Sequence, residues 1–226
     1  MKTLLSSTAL IGTLLIAPYA AAAPETDDER LAYSLGVTLG ESMQADVEDL
    51  DIDAFTDGMR DVFAGNELAL GEEEIAQALT AFQERAMQER EAETAAIAEA
   101  NKAEGDTFLA ENAQRDDVTV TESGLQYEVL ESGDGASPGA QDSVEVHYEG
   151  TLLDGSIFDS SLERGQPVTF RVNQVIEGWQ EALQLMSVGD VWKLYIPSEL
   201  AYGASGQGPI GPNEVLIFNV ELLDIE

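Results

Sequence analysis

Residues 146–161, VHYEGTLLDGSIFDSS, combine a strand pattern with a turn. Val146 and Tyr148 are separated by a polar residue, and this alternation is typical of a strand with one buried face. Asp154-Gly155 then predicts a tight turn, because glycine adopts the backbone angles that such turns need. The stretch therefore predicts β structure in the second half of the chain.

Strand patterns recur on both sides of this stretch. Apolar residues alternate with polar ones over 125–129, begin a further strand at 170–172, and alternate again over 192–196 and 216–222. The one amphipathic helical window of this half lies at 175–186. Residues 116–226 therefore predict an α+β domain, with an antiparallel sheet packed on one short helix.

Several short motifs follow one another in this half. They are VHYEG (146–150), DGSIFDSS (154–161), VIEGW (175–179), MSVG (186–189), AYG (201–203) and GPNEVLIF (211–218). In this order they resemble the FKBP-type peptidyl-prolyl cis-trans isomerases, and the likeness covers all of 116–226. The resemblance implies an FKBP-like sheet wrapped on its helix, and an enzyme that isomerises the bond before proline.

The resemblance also implies a role for each matching residue. Asp159 would lie at the pocket edge, held by Tyr148 and Arg164. The Tyr202 hydroxyl and the Ile176 backbone N–H would donate hydrogen bonds to substrate carbonyl groups. The Trp179 indole would form the floor under the proline ring. The other residues that would bind the substrate are Phe158, Phe170, Val168, Val175, Ile210 and Phe218.

One of these positions departs from the family. Val168 stands where the best-studied small members carry an aromatic side chain. The resemblance implies two kinds of ligand, proline-containing peptides and macrolide inhibitors. The smaller Val168 side chain is expected to open one pocket wall and to weaken the binding of the macrolides.

The composition excludes several kinds of catalytic site. Cysteine is absent and histidine occurs once, as His147. This rules out disulfides, thiolate catalysis, cysteine-bound zinc and multi-histidine metal sites, and it argues against a Ser–His–Asp triad. Rotation about an X–Pro amide faces a barrier of about 20 kcal/mol but needs no nucleophile or general base. We therefore expect non-covalent, metal-independent catalysis without a cofactor.

The residues before 116 predict helices. Apolar residues recur every fourth position from 31 to 43, and a second apolar stripe over 52–62 ends before Gly65. A third segment, 72–104, lacks glycine and proline and is apolar in its first turns only. We expect this helix to be packed at its start and solvated at its end.

These helices offer little apolar surface for a core of their own. We therefore predict a dimerisation domain over 25–90 and a stiff helical spacer over 91–115. Residues 53–58 and the long helix resemble the macrophage infectivity potentiator subgroup, exported bacterial isomerases that dimerise through their N-terminal helices. The alternative is a monomer whose helices fold back onto the second domain.

The acidic segment 46–53 does not match the sequence pattern of a calcium-binding EF-hand loop. A loop beginning at Asp49 would need glycine in place of Ala54 and glutamate in place of Arg60. We instead predict that Asp51 or Asp53 caps the start of the next helix.

Residues 1–22 are typical of a secretory signal peptide. Lys2 precedes a mostly apolar stretch over 4–17, and alanines follow at 20–23. Cleavage near Ala22 would make the mature chain an exported, periplasmic protein, either soluble there or peripheral to the outer membrane. The alternative is an uncleaved N-terminal anchor.

The charge limits the choice of partners. With 44 acidic and 10 basic residues the formal net charge is −34, which argues against binding to nucleic acid, itself a polyanion. We expect proline-containing client polypeptides, with chaperone activity beside isomerisation. The alternative function is a chaperone or interaction module with a weak or vestigial isomerase site. A third possible function, an acidic calcium buffer, is supported by the net charge alone.

Overall fold

The computed structural model describes residues 23–44, 47 and 49–226. The chain divides into two compact units, one ending at Glu74 and the other beginning at Ile75. The predicted signal peptide, 1–22, lies outside the described residues. Within the described ranges no helix is both long enough and apolar enough to cross a membrane.

The first unit is helical. Helix α1 spans Asp27–Gln44, and α2 spans Ile52–Ala64. The Asp51 side chain accepts a hydrogen bond from the Ala54 N–H at 3.0 Å, and Gly65 ends α2 in the left-handed conformation with φ 69°. Both ends of α2 are therefore as predicted, because the cap satisfies an N–H that has no partner inside the helix.

Helix α3 spans Glu72–Asn112, so it extends beyond the segment without glycine and proline and through most of the predicted helical spacer, 91–115. It passes through Gly105, where a Cβ atom would lie 2.7 Å from the Val215 Cγ2 atom. Asn112 is buried and donates to Gln126 Oε1 at 2.9 Å. The last turns of α3, which their polar sequence predicts to be solvated, instead pack against the second half of the chain.

The second unit carries an antiparallel sheet of seven strands in the order β1-β2-β6-β7-β3-β4, with β5 paired to β3. Two short helices accompany the strands, α4 (Ser161–Arg164) and α5 (Glu177–Leu185). The α+β prediction is confirmed. The strands are β1 (Thr119–Val120), β2 (Gln126–Glu131), β3 (Ser143–Thr151), β4 (Ile157–Ser160), β5 (Val168–Arg171), β6 (Val191–Ile196) and β7 (Leu216–Ile225).

The core lies between α5 and one face of the sheet. Strand β3 contributes alternate residues to this core, as the sequence pattern predicts. Helix α5 approaches closely because Gly178 has no side chain: a Cβ atom there would lie 2.5 Å from the Ile196 Cγ2 atom. This close approach brings the first turn of α5 onto the sheet, and Trp179 with it.

Phe158-Asp159 is typical of a turn by its local sequence, but it belongs to strand β4. Asp159 pairs with Gly150 of β3 across the sheet. The pairing partner lies outside the local sequence, which is why a local pattern does not reveal the strand.

Candidate active site

A cavity of about 630 Å³ opens between α5, strands β3–β5 and the segment after β6. Most of its lining is apolar or aromatic. The lining residues are Tyr148, Phe158, Asp159, Phe170, Gln174, Val175, Ile176, Trp179, Tyr202, Gln207, Gly208, Pro209, Ile210 and Phe218. This combination of apolar surface with a few polar groups is typical of a site that binds a small apolar group in a fixed orientation.

Trp179 is the most central of the rings. It is 4% exposed, and its ring lies edge-on to those of Tyr148, Phe170 and Phe218 at centroid distances of 5.3, 5.8 and 5.2 Å. Its buried indole N–H has no hydrogen-bond acceptor in the described part of the chain. Edge-to-face packing fixes the orientation of the indole, so it offers a rigid apolar surface.

A second aromatic contact forms where β3 has no side chain. The rings of Phe158 and Phe218 meet edge-to-face at 5.4 Å. A Cβ atom on Gly150 would lie 2.5 Å from the Phe158 Cζ atom and 2.7 Å from Phe218 Cε1. Glycine at this position is therefore what allows the two rings to close one side of the cavity.

Asp159 is held at the cavity edge by two donors. The Tyr148 hydroxyl donates to its Oδ2 atom and the Arg164 guanidinium donates to Oδ1. Arg164 also donates to the Tyr148 hydroxyl oxygen at 2.8 Å, so the three side chains form a closed triangle. Helix α4 supplies Arg164, and the Ser160 side chain caps the start of that helix.

The three side chains alter one another's ionisation. Partial burial acts to raise the pKa of Asp159, but the hydrogen bonds from Tyr148 and Arg164 outweigh it, so this pKa lies below its usual value. Burial raises the pKa of Tyr148, and the hydrogen bond to Asp159 raises it further. At neutral pH the site therefore presents a carboxylate beside a neutral phenol.

Two donors at the cavity have no acceptor. The Ile176 N–H and the Tyr202 hydroxyl make no hydrogen bond within the described part of the chain. Ile176 lies at the start of α5, where the first N–H groups have no partner inside the helix. Both donors are available to a bound peptide carbonyl.

All but two of the predicted site residues line the cavity. Arg164 contacts Asp159 and Tyr148 without lining the cavity. Val168 is half-buried at the start of β5, opposite Val146, and lies outside the lining. It shares a face of β5 with Phe170, and Phe170 is the residue that reaches the cavity.

Four lining residues were not predicted from the sequence. They are exposed or lack an apolar pattern, so periodicity gives no signal for them. Their only signal is position, directly beside Val175 or between Tyr202 and Ile210. They are Gln174, Gln207, Gly208 and Pro209.

The pH dependence of activity should depend on Arg164. In the wild type the low pKa of Asp159 keeps its carboxylate charged as the pH falls through the ordinary aspartate range. The Arg164→Ala variant loses one donor and one positive charge, so the Asp159 pKa rises and the acidic limb of kcat/KM moves to higher pH. The measurement is a profile of kcat/KM from about pH 3 to 7.

The control for this profile is Arg171→Ala, which removes an exposed arginine of β5 that does not contact Asp159. An acidic limb that moves equally in both variants would contradict the assignment, since a general charge effect would then explain the shift.

The chain matches two family profiles. Residues 135–223 match the FKBP-type peptidyl-prolyl cis-trans isomerase profile. Residues 28–129 match the domain amino-terminal to FKBP-type peptidyl-prolyl isomerases. Together the two profiles cover both the helices and the sheet.

Individual relatives align along the whole chain. The "Outer membrane protein MIP" of Legionella longbeachae is 44% identical over 100% of this chain and 99% of its own length. The "Peptidyl-prolyl cis-trans isomerase Mip" of Coxiella burnetii is 40% identical over 100% and 99%. The crystal structure of FkpA from Escherichia coli superposes with a TM-score of 0.78 at 40% identity, covering 90% of this chain and 99% of that one. The chain therefore belongs to the FKBP-type peptidyl-prolyl cis-trans isomerases.

Proposed function

We propose that this isomerase acts on X–Pro bonds of exported polypeptides as they fold, and that the proline ring binds in the cavity against Trp179. The observation that carries this proposal is the aromatic cage around Trp179, with one carboxylate and two unpaired donors at its edge. The cage suits a small apolar ring, and the polar groups suit the peptide on either side of it.

The cavity can lower the rotation barrier without covalent chemistry. The planar X–Pro amide is stabilised by resonance, and this resonance is lost when the bond twists. An apolar cavity disfavours the more polar planar amide and leaves the twisted amide less affected. Fixed donors keep the peptide from leaving while the bond rotates.

Each polar group then has a part in the reaction. The Ile176 N–H and the Tyr202 hydroxyl would hold peptide carbonyl groups on the two sides of the rotating bond. The Asp159 carboxylate would lie near the twisting carbonyl carbon, where its negative charge stabilises the change in charge distribution. Tyr148 and Arg164 would keep that carboxylate in position.

We also propose a homodimer through residues 25–90, with a helical spacer over 91–115 and the isomerase domain over 116–226. Large apolar side chains on α1 and α2 support this proposal: Leu31 is 61% exposed, Leu35 62% and Phe63 84%. A second copy of the chain would cover this surface, since α1 and α2 of one chain alone bury too little apolar surface to form a stable core. Two cavities in one dimer could engage one client chain at two prolines.

The same proposal places the mature chain in the periplasm, free or peripheral to the outer membrane. The relative from Legionella longbeachae that bears the words "outer membrane protein" in its name supports an exported location. The X–Pro bonds of an unfolded exported chain isomerise in tens of seconds without a catalyst, so an isomerase at this location would speed its folding.

The test is the cis-to-trans rate of a proline-containing peptide and the rate of a proline-limited refolding reaction, both with the mature chain. We expect acceleration of both reactions, proportional to enzyme concentration. If the folded chain leaves the peptide at its background rate and yet suppresses aggregation of a client, the alternative of a chaperone with a vestigial site is correct.

A further inference from the structure

One wall of the cavity is a short hairpin at 207–210. The Gln207 N–H donates to the Ile210 carbonyl oxygen at 2.9 Å, and the Ile210 N–H donates back to Gln207 at 3.0 Å. Gln207, Gly208 and Pro209 are exposed, and only Ile210 is buried. Because exposed residues gain little from packing, the position of this wall depends on how its flanking segments are held.

The segment that follows the hairpin is held by helix α3. The Asn101 side-chain amide donates to the Pro212 carbonyl oxygen at 2.9 Å and to Glu214 Oε1 at 3.0 Å. In the opposite direction, the Asn213 amide donates to the Ala98 carbonyl oxygen of the helix at 3.0 Å. All three bonds are partly buried, so water competes for them only partly.

Asn213 also connects this anchor to Tyr202. Its backbone N–H donates at 2.9 Å to the carbonyl oxygen of Gly203, the residue directly after Tyr202. Its φ of 55° is the one positive value for a non-glycine residue in the described part of the chain. Such a conformation costs free energy, and asparagine tolerates it better than most residues. Asn213 therefore joins α3 to both ends of the 203–214 loop.

Helix α3 lies close to the loop and to Val215, the residue that follows it. A Cβ atom on Gly211 would lie 3.4 Å from Asn101 Nδ2, and one on Gly105 would lie 2.7 Å from Val215 Cγ2. Movement of this part of α3 would therefore act on Val215 directly and on the loop through the hydrogen bonds of Asn101 and Asn213.

We propose that Asn101 and Asn213 are positioning residues for substrate binding, through which α3 holds the hairpin wall and Tyr202 against the cavity. Neither residue lines the cavity, so their effect passes through the 203–214 loop. This proposal rests on the proposed function of the cavity. It adds that α3, the helix that precedes the proposed isomerase domain, contributes to the affinity of the cavity for the peptide.

The test compares steady-state kinetics of full-length variants on an X–Pro peptide. Asn101→Ala removes two donors to the loop, and Asn213→Gly removes one while glycine keeps the positive φ. We expect KM to rise roughly fivefold in each variant with kcat within about twofold, because loss of uniform binding raises KM alone. Asp159 and Trp179 lie on other elements and keep their positions.

Exchanging the donor and the acceptor between Asn101 and Glu214 separates a specific contact from a general disturbance. Asn101→Asp turns the donor into an acceptor and sets its carboxylate against that of Glu214, so KM should rise further. Adding Glu214→Gln returns a donor to the pair, and KM of the double variant should fall below that of Asn101→Asp alone. Failure of this rescue would overturn the specific contact.

Two variants of α3 are the controls. Lys102→Ala changes the next residue, whose ammonium pairs with Asp106 of the same helix, and should leave KM unchanged. Asn112→Ala breaks a buried contact at the far end of α3 and should lower the unfolding temperature without raising KM. An equal rise of KM in these controls would show a loss of general stability and overturn the positioning role.

The outcomes distinguish this proposal from the one on which it rests. A wild type without peptide turnover would overturn the proposed function and the positioning role together. An active wild type whose Asn101→Ala and Asn213→Gly variants keep its KM would overturn the positioning role alone.

Discussion

Asp159→Asn is expected to lower kcat/KM for an X–Pro peptide by roughly one to two orders of magnitude. This is less than the roughly two to three orders lost when a buried electrostatic group is removed, because the Asp159 side chain is partly exposed. The substitution keeps the shape of the side chain, and the amide oxygen can still accept from Tyr148. What is lost is the negative charge at the cavity edge. The measurement is a protease-free isomerisation assay at neutral pH, where the wild-type carboxylate is charged because its pKa is low.

The matched control is Asp154→Asn, which makes the same chemical change in the β3–β4 turn. Asp154 accepts hydrogen bonds from Ser156 there and does not line the cavity. Asp159 is itself partly exposed, so neither variant should change the free energy of unfolding greatly. Equal losses of activity in the two variants would show that net charge, and not the position of Asp159, matters for turnover.

Trp179→Ala is expected to abolish peptide turnover and to lower the free energy of unfolding by about 3–5 kcal/mol. The indole is 4% exposed and contacts three other rings, so its removal leaves a void at the centre of the cage. That loss is a large part of the roughly 5–15 kcal/mol that stabilises an ordinary domain. Thermal unfolding and the isomerisation assay are therefore measured on the same preparation.

The second tryptophan separates stability from function. Trp192 is 5% exposed, stacks on Tyr127 at 4.3 Å and lies outside the cavity lining. Trp192→Ala should destabilise the chain by a similar amount, yet the folded fraction should turn over peptide. Trp179→Phe and Trp192→Phe form a milder pair in case the alanine variants unfold. If both members of a pair lose activity equally, Trp179 has no special role as the floor.

Most of the sheet could be predicted because its signals are local. Alternation of buried residues with more exposed ones over 144–148 and 216–222 follows from the pleat of a strand, whatever its partners. In β6 the alternation ends at Tyr195, which is buried on the other face of the sheet and contacts Phe108 of α3. The caps of α2 at Asp51 and Gly65 are local for the same reason, since each involves atoms within one or two helical turns.

Features that depend on distant partners could not be predicted this way. Strand β4 exists because it pairs with β3. Helix α3 is itself predicted over 91–115, but its packing against Val215, which leaves no room for a side chain at Gly105, has no local signal. The hairpin at 207–210 lines the cavity although its sequence is that of an exposed turn.

The sequence by itself determined the chemistry of this protein. Its motifs over 146–218 resemble the FKBP-type isomerases, which implies non-covalent rotation of the X–Pro amide, and the absence of cysteine excludes thiolate catalysis. Tertiary structure alone decided how the rings meet around Trp179 and which helix holds the loop beside them. The contacts of α3 with that loop join residues 111 to 115 positions apart. Such contacts have no local pattern, because they arise only when packing brings the two segments together.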